Sequence, residues 1–172
     1  YSHIYLIILA LITNIISIKV KKYIFVSILA CSLSFAASAQ KITLGSCVTH
    51  DGAQYKGQLQ AGKPHGKGSA LFENGDTYEG EYVKGKRQGE GIYTFSDGEK
   101  YDGEWFQDQQ HGYGTFWFIN NNKYVGMWYR DYQQGHGVMY YYNGDKYDGY
   151  WQQDKRQGKG KYTFAGGAYY EG

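Results

Sequence analysis

From Tyr55 onward, large, small and polar positions recur along the chain with two superposed periods. The shorter is two residues: Tyr78, Gly80 and Tyr82 alternate with Glu79, Glu81 and Val83, and Gly91, Tyr93 and Phe95 alternate with Ile92 and Thr94. Alternation of this kind marks a strand whose two faces meet different surroundings. The longer period is 23 residues, and the pattern restarts at Tyr55, Tyr78, Tyr101, Tyr124, Tyr147 and Tyr170. A fixed period of this length signals an array in which each unit is one supersecondary element.

Each unit opens Tyr-x-Gly and then places a large residue two positions on. The candidate core is therefore Tyr55, Gly57, Tyr78, Gly80, Tyr101, Gly103, Trp105, Tyr124, Gly126, Trp128, Tyr147, Gly149 and Trp151, with Leu59 and Tyr82 in the first two Trp slots. A Gly-x-Gly follows in every copy, as in Gly89-Glu90-Gly91, and second-half pairs such as Phe116/Phe118 and Tyr162/Phe164 continue the inward alternation. Two strands joined by a Gly-containing link of about five residues make a β-hairpin. The connections between units carry Asn74-Gly75, Asp97-Gly98, Asn121-Asn122 and Asn143-Gly144, pairs that accept the positive φ of a tight turn. A lone hairpin is marginal in water, so the units are expected to stack into an all-β, elongated single-sheet ribbon. Inward glycines then leave room for a neighbouring aromatic ring. That explains the 20 tyrosines as scaffold.

Tyr101-x-Gly103-x-Trp105, and Gly85-Lys86-x-x-Gly89-x-Gly91, resemble the MORN repeat (membrane occupation and recognition nexus), a 23-residue hairpin repeat. The resemblance spans residues 55–172, with five copies and the start of a sixth at Tyr170. Residues 45–54 read as a half repeat. Asp108, Asp131 and Asp154 stand where the pattern has a loop glycine, and Asn121 replaces a turn glycine. The resemblance implies scaffolding, dimerisation or lipid association. MORN arrays also accompany phosphatidylinositol phosphate kinases, so an accessory module of such an enzyme is a further reading.

Residues 1–18 are apolar and of uncertain status, with an upstream stretch before the true start as the preferred reading. Lys19, Lys21 and Lys22, the apolar run 23–35 and Ala37-Ser38-Ala39 read as a secretory signal peptide over 19–39, cleaved between Ala39 and Gln40. A membrane anchor over the same run, and a lipoprotein-like box at Cys31, are the alternatives. Cleavage leaves Cys47 as the thiol of the mature part, in an inward slot where burial is expected. Both ends of the chain look cut.

Three of the 18 Lys and Arg residues fall in that leader, so the remainder carries 15 against 16 acids. No overall cationic field draws the array to nucleic acid. The loops are locally basic, however, through Lys63, Lys67, Lys84, Lys86, Arg87, Lys155 and Arg156, and Asp108 and Asp131 interrupt that edge. A row of such loops suits anionic headgroups or an acidic protein. It also suits a solvated edge that discourages aggregation.

His65 and His111 occupy one repeat slot, and no histidines share a metal-ligand spacing. The run 62–69 has three residues between Gly62 and Gly66 where a phosphate loop has four. Periodic carboxylates read as a solvated face. The sequence therefore points to a non-enzymatic, exported scaffold or interaction module without a cofactor, contacting a protein partner or a membrane surface, with anionic lipid as one candidate. Trp117 is the outward aromatic best placed for contact, beside Tyr129, Tyr140 and Tyr142. Homo-oligomerisation is left open.

Overall fold

The computed structural model describes residues 41–172; the readings made of the leader, its cleavage site and Cys31 lie outside the described residues. Strand β1 (Ile42–Val48) precedes five hairpins: β2 (Gln54–Gln60) with β3 (Lys63–Leu71), β4 (Thr77–Val83) with β5 (Lys86–Thr94), β6 (Lys100–Phe106) with β7 (Gln109–Trp117), β8 (Lys123–Tyr129) with β9 (Tyr132–Tyr140), and β10 (Lys146–Gln152) with β11 (Lys155–Thr163). Strand β12 (Tyr169–Glu171) follows. All twelve form one antiparallel sheet in chain order. The expected all-β single sheet of stacked hairpins is what the chain forms.

The turn chemistry departs from the expectation. The hairpin link is two residues, not about five, and both residues are left-handed, as in Lys84 (φ 52°) and Gly85 (φ 89°). Such turns match the right-handed twist of the strands they join. The missing length is a bulge in the second strand: between the pairs Gly80↔Gly91 and Tyr82↔Arg87 the register shifts. Gly89, at φ 82°, sits in that bulge. The two glycines of Gly-x-Gly thus have different jobs, the first bending the strand and the second lying under a ring. In the connections between units only one residue of each pair is left-handed, for example Gly75 and Gly98. The preceding Asn or Asp acts through its side chain instead, with Asn74 Oδ1 accepting the Asp76 N–H at 3.1 Å.

The second glycines and the Tyr-x-Gly glycines align across the sheet, from Gly45↔Gly57 through Gly68↔Gly80, Gly91↔Gly103 and Gly114↔Gly126 to Gly149↔Gly160. Over each hairpin's pair lies the phenol of the same unit's opening tyrosine. A methyl group on Gly91 would stand 2.2 Å from Tyr78 Oη, and one on Gly80 2.5 Å from it. The hydroxyls donate to carbonyls three residues on: Tyr78 to Glu81 at 3.1 Å, Tyr101 to Glu104 at 2.9 Å. Tyr55, Tyr78, Tyr101 and Tyr124 are the largest fully buried side chains.

Between successive tyrosines stand the large residues of the fifth position. Trp105 meets Tyr78 and Tyr101 edge-on, each at 5.3 Å, and Trp128 and Trp151 repeat the arrangement. Tyr82 continues the row to Tyr55 at 5.0 Å. Edge-to-face pairs contribute about 0.5–1.5 kcal/mol each beyond area burial. The indole Nε1 of Trp105 donates to Gly91 O at 3.0 Å, which ties one unit to the one before it. Cys47 is half-buried against this core.

Gly91→Ala is expected to cost about 1–3 kcal/mol by overpacking. Gly166→Ala, whose methyl would meet nothing within 4 Å, should stay within about 0.5 kcal/mol of the parent. Urea unfolding followed by circular dichroism distinguishes them, and equal losses would refute the steric account. A second prediction concerns high pH. Burial, with the Cys47 charge adding to it, pushes the Tyr55 phenol up to about 12, and burial raises Tyr78, Tyr101 and Tyr124 as well. Their folded values exceed the unfolded value of about 10, so this stability is complete below pH ~10 and is lost as pH rises through the folded values. Ionisation of these phenols should coincide with loss of the sheet signal in a spectrophotometric titration. Full tyrosine ionisation in an intact sheet would contradict it.

Candidate functional site

The aromatic face is a trough, with Trp105, Trp128 and Trp151 along its floor. On the margin of the inter-unit turns, one wall is the aromatic column Phe72, Phe95, Phe118 and Tyr141, half-buried and packed on the core. On the hairpin-turn margin the other wall is Pro64, Arg87, Gln110, Gln133 and Arg156. Both glutamines are buried, at 7% and 5% exposure, although neither is apolar.

Each margin is stitched by side-chain oxygens that reach across one unit. On the hairpin-turn margin Asp108, Asp131 and Asp154 accept the N–H groups of Arg87, Gln110 and Gln133 at 2.8, 2.7 and 2.8 Å. Their own N–H groups return to the carbonyls of the same three residues. Gly85 occupies the equivalent slot opposite Pro64, and there only the backbone bond Gly85 N–H to Pro64 O (2.8 Å) forms. A proline has no N–H for a carboxylate to accept. From Gly85 onward, aspartate thus stands opposite each residue that offers a donor, and glycine opposite the proline. Asp108 and Asp131, which interrupt the basic edge, thereby also bind the turns together.

On the opposite margin Asp76, Glu99, Asn122 and Asp145 play the same part. They accept the N–H groups of Ser96, Ile119, Tyr142 and Ala165 at 2.9, 3.2, 2.9 and 2.8 Å. Asp76 and Asp145 also accept the hydroxyls of Tyr93 (2.6 Å) and Tyr162 (2.7 Å). Burial drives the Asp76 carboxyl upward, but the Tyr93 hydroxyl and the Ser96 and Asn74 bonds outweigh it and hold the group below the usual carboxylate range. For Asp145 the Tyr162 bond leads and the direction is the same. Asp76, at 5% exposure, departs from the expectation that periodic carboxylates mark a solvated face, because it meets donors that need an acceptor.

The two margins approach each other over the first units. Arg87 reaches across, its Cζ 4.6 Å from the Trp105 ring centre and 5.7 Å from that of Phe72, while its Nη2 donates to Asp108 O at 3.1 Å. His50 Nε2 lies 3.4 Å from Asp108 Oδ2. Further along, Gln110 and Gln133 replace the long arginine and the trough opens. This open part is a groove of about 960 Å³ lined by Phe95, Phe118, Met139, Tyr141, Lys155 and Arg156, among others.

The residues singled out from sequence do not converge. Lys63, Lys84, Lys86 and Lys155 are exposed on the hairpin-turn margin and Lys67 is exposed on the outer face. Arg87, expected among the solvated loop cations, is only 14% exposed in its side chain and belongs to the trough. Arg156 lies over Tyr147 and Tyr162 on the same face. Trp117 is on the outer face, half-buried beneath Lys100. Sequence reasoning placed the Phe95, Phe118 and Tyr141 column in the core; the 23-residue recurrence of an aromatic just before each inter-unit turn was its signal. Among the described residues no three His, Cys, Asp or Glu side chains gather as metal ligands. His111 is instead held between the rings of Phe106 and Tyr129, at 5.5 and 5.1 Å.

A family model described as "MORN repeat" matches residues 55–77, 78–100, 101–123, 124–146 and 147–169. The chain belongs to the MORN-repeat family. The matched units coincide with the structural ones, each running from one ladder tyrosine to the residue before the next. No curated protein matches this MORN-repeat chain. Among solved structures it is similar to the TCP domain of Drosophila melanogaster SAS-4 (dCPAP), in complex with a proline-rich motif of Ana2 (dSTIL). That likeness has 14% identity and a TM-score of 0.42, and it covers 74% of this chain and 88% of the other. Similarity at this level carries no functional information.

The Asp76 arrangement makes a pH prediction. Its folded pKa is depressed, so its stabilisation is present above the unfolded value of about 3.9 and lost as pH falls through the folded one. Asp76→Asn should lose about 1–3 kcal/mol at pH 7 and show a flatter stability profile below pH ~5. Urea unfolding at a series of pH values checks this, and parallel profiles for the two proteins would refute it.

Proposed function

We propose that this MORN-repeat array is a non-enzymatic interaction module, and that the open half of its trough holds an extended apolar segment of a partner protein. One observation carries the reading: Phe95, Phe118 and Tyr141 remain half-exposed beside a groove of about 960 Å³. The core has already been completed by the Tyr and Trp ladder beneath them. Partly exposed aromatics along a rigid trough are the usual furniture of a binding groove. The acids at its rim are engaged by backbone donors, which favours display over catalysis. The charged, apolar and small-residue pattern of residues 19–39 supports an exported location for the module.

Association with anionic lipid is the second reading, and the exposed Lys63, Lys84 and Lys86 favour it. The middle turns, built on Asp108 and Asp131, leave that basic margin discontinuous.

Peptides selected from a random displayed library on the immobilised protein test the proposal. They should be rich in apolar residues and lose at least tenfold in affinity to a Phe118→Ser, Tyr141→Ser variant whose near-ultraviolet dichroism is preserved. Lys63→Glu with Lys86→Glu should leave them unaffected. Selected peptides indifferent to the trough variant would sink this reading. Salt-sensitive sedimentation with phosphatidylserine vesicles, abolished by the lysine reversals, would favour the second.

A further inference from the structure

The outer face changes character along the array. Over the first units its rows are mixed, with Lys56, Ser69, Glu79, Lys67 and Glu81 beside exposed Leu44, Leu71 and Ile92. From β6 to β10 one row alternates cation and aromatic without interruption. The register places Lys100 opposite Trp117, Trp117 opposite Lys123, Lys123 opposite Tyr140, and Tyr140 opposite Lys146. Lys100 Nζ lies 4.0 Å from the centre of the Trp117 ring and Lys123 Nζ 4.9 Å from that of Tyr140. Both lysines are half-buried, their stems lying along the rings. Among the described residues no carboxylate comes within ion-pair distance of either, whereas Lys146 Nζ is held by Asp148 Oδ2 at 3.1 Å. Val125 and Val138, paired on adjacent strands in the next row, give the site an apolar flank.

We propose that this row is a docking site for an acidic, extended segment of a partner protein, with carboxylates three residues apart. The spacing argues for it. Strands lie about 4.8 Å apart, so lysines on alternate strands repeat every ~9.6 Å. A polyproline II segment has three residues per turn and rises ~3.1 Å per residue, which repeats every ~9.3 Å. A segment laid across the strands presents one carboxylate to the Lys100 ammonium, held over Trp117, and the next to that of Lys123, held over Tyr140, with an apolar or proline residue between them. The rings hold the ammonium groups in place, and those groups, unpaired with any carboxylate, read the charge of the chain. Two acids decide against a flat anionic surface. Asp102, opposite Thr115, and Asp148, opposite Val138, stand one row in from the lysines. A planar bilayer would be pressed against the Asp102 carboxylate, and Asp148 already offsets the charge of Lys146, whereas a single chain following the row avoids both. This site is separate from the trough, on the opposite face, and does not depend on what the trough holds.

The probe is a labelled peptide of four Glu-Pro-Pro units, followed by fluorescence anisotropy on the full chain. It should bind at least tenfold more tightly than an isomer with its glutamates in one block, and weaken as salt is raised from 0.05 to 0.3 M. Trp117→Ala, and Lys100→Glu with Lys123→Glu, should each cost about tenfold or more, Trp117→Phe should retain most of the affinity, and Lys63→Glu should change nothing. Circular dichroism of each variant verifies that the sheet persists. Equal affinity for the two isomers, no binding, or loss equally produced by Lys63→Glu overturns the proposal. So does a preference for phosphatidylserine vesicles or for single-stranded oligodeoxythymidine over the repeating peptide.

Discussion

The contact between each unit's opening tyrosine and its pair of facing glycines underlies the rest of the structure. Among the described residues no second sheet or helix covers the inner face, so the sheet makes a core from its own side chains. Removing both side chains at the facing glycines lets the phenol of Tyr78 reach the backbone of β4 and β5 and bond to the Glu81 carbonyl. The ring is then buried by the main chain beneath it and by Tyr82 and Trp105 beside it. Because Trp105 touches the tyrosines of two units and bonds to Gly91, the packing of one unit is incomplete without its neighbour. Stability is therefore a property of the row, as expected for a linear array.

The margins solve a different problem. Tight turns expose backbone donors at both edges of the sheet, and stacking brings the turns of consecutive units together. Carboxylates and an amide at two fixed places in the repeat accept those donors from the neighbouring unit. Pro64 shows that this is a paired device: with no N–H to accept, its partner slot holds Gly85 and the bond reverts to backbone alone. Acids that balance the formal charge of the array are thereby partly internal, and the charge left for recognition is smaller and more local than composition implies. Lys100 and Lys123 belong to that remainder.

The two faces consequently offer different chemistry. Arg87, His50 and Asp108 close the trough over the first units, and the shorter Gln110 and Gln133 leave it open beyond them. Opposite, the mixed outer rows of the early units give way to Trp117, Tyr140 and their lysines. A single ribbon can thus display an apolar groove and a cationic, aromatic row back to back, with the same twisted backbone holding both.

Alternation and period by themselves determined the all-β class, the units beginning at Tyr55 and every 23 residues after it, and the inward set of Tyr, Trp and Gly. Those properties are local: which way a side chain points follows from position in a strand, and a repeated pattern states it five times. Only the tertiary structure decided which tyrosine covers which glycine pair, because that depends on the strand register across the turn. It also decided that the first glycine of each Gly-x-Gly bends the strand, that Asp108 and Asp76 join neighbouring units, and that Arg87 lies in the trough when a solvated loop was expected. The margin bonds of Asp108 and Asp76 and the Arg87 contacts are relations between residues about 20 positions apart, formed when one hairpin stacks on the next. A reading of one unit sees the charge or the ring, and only the neighbouring unit supplies what it touches.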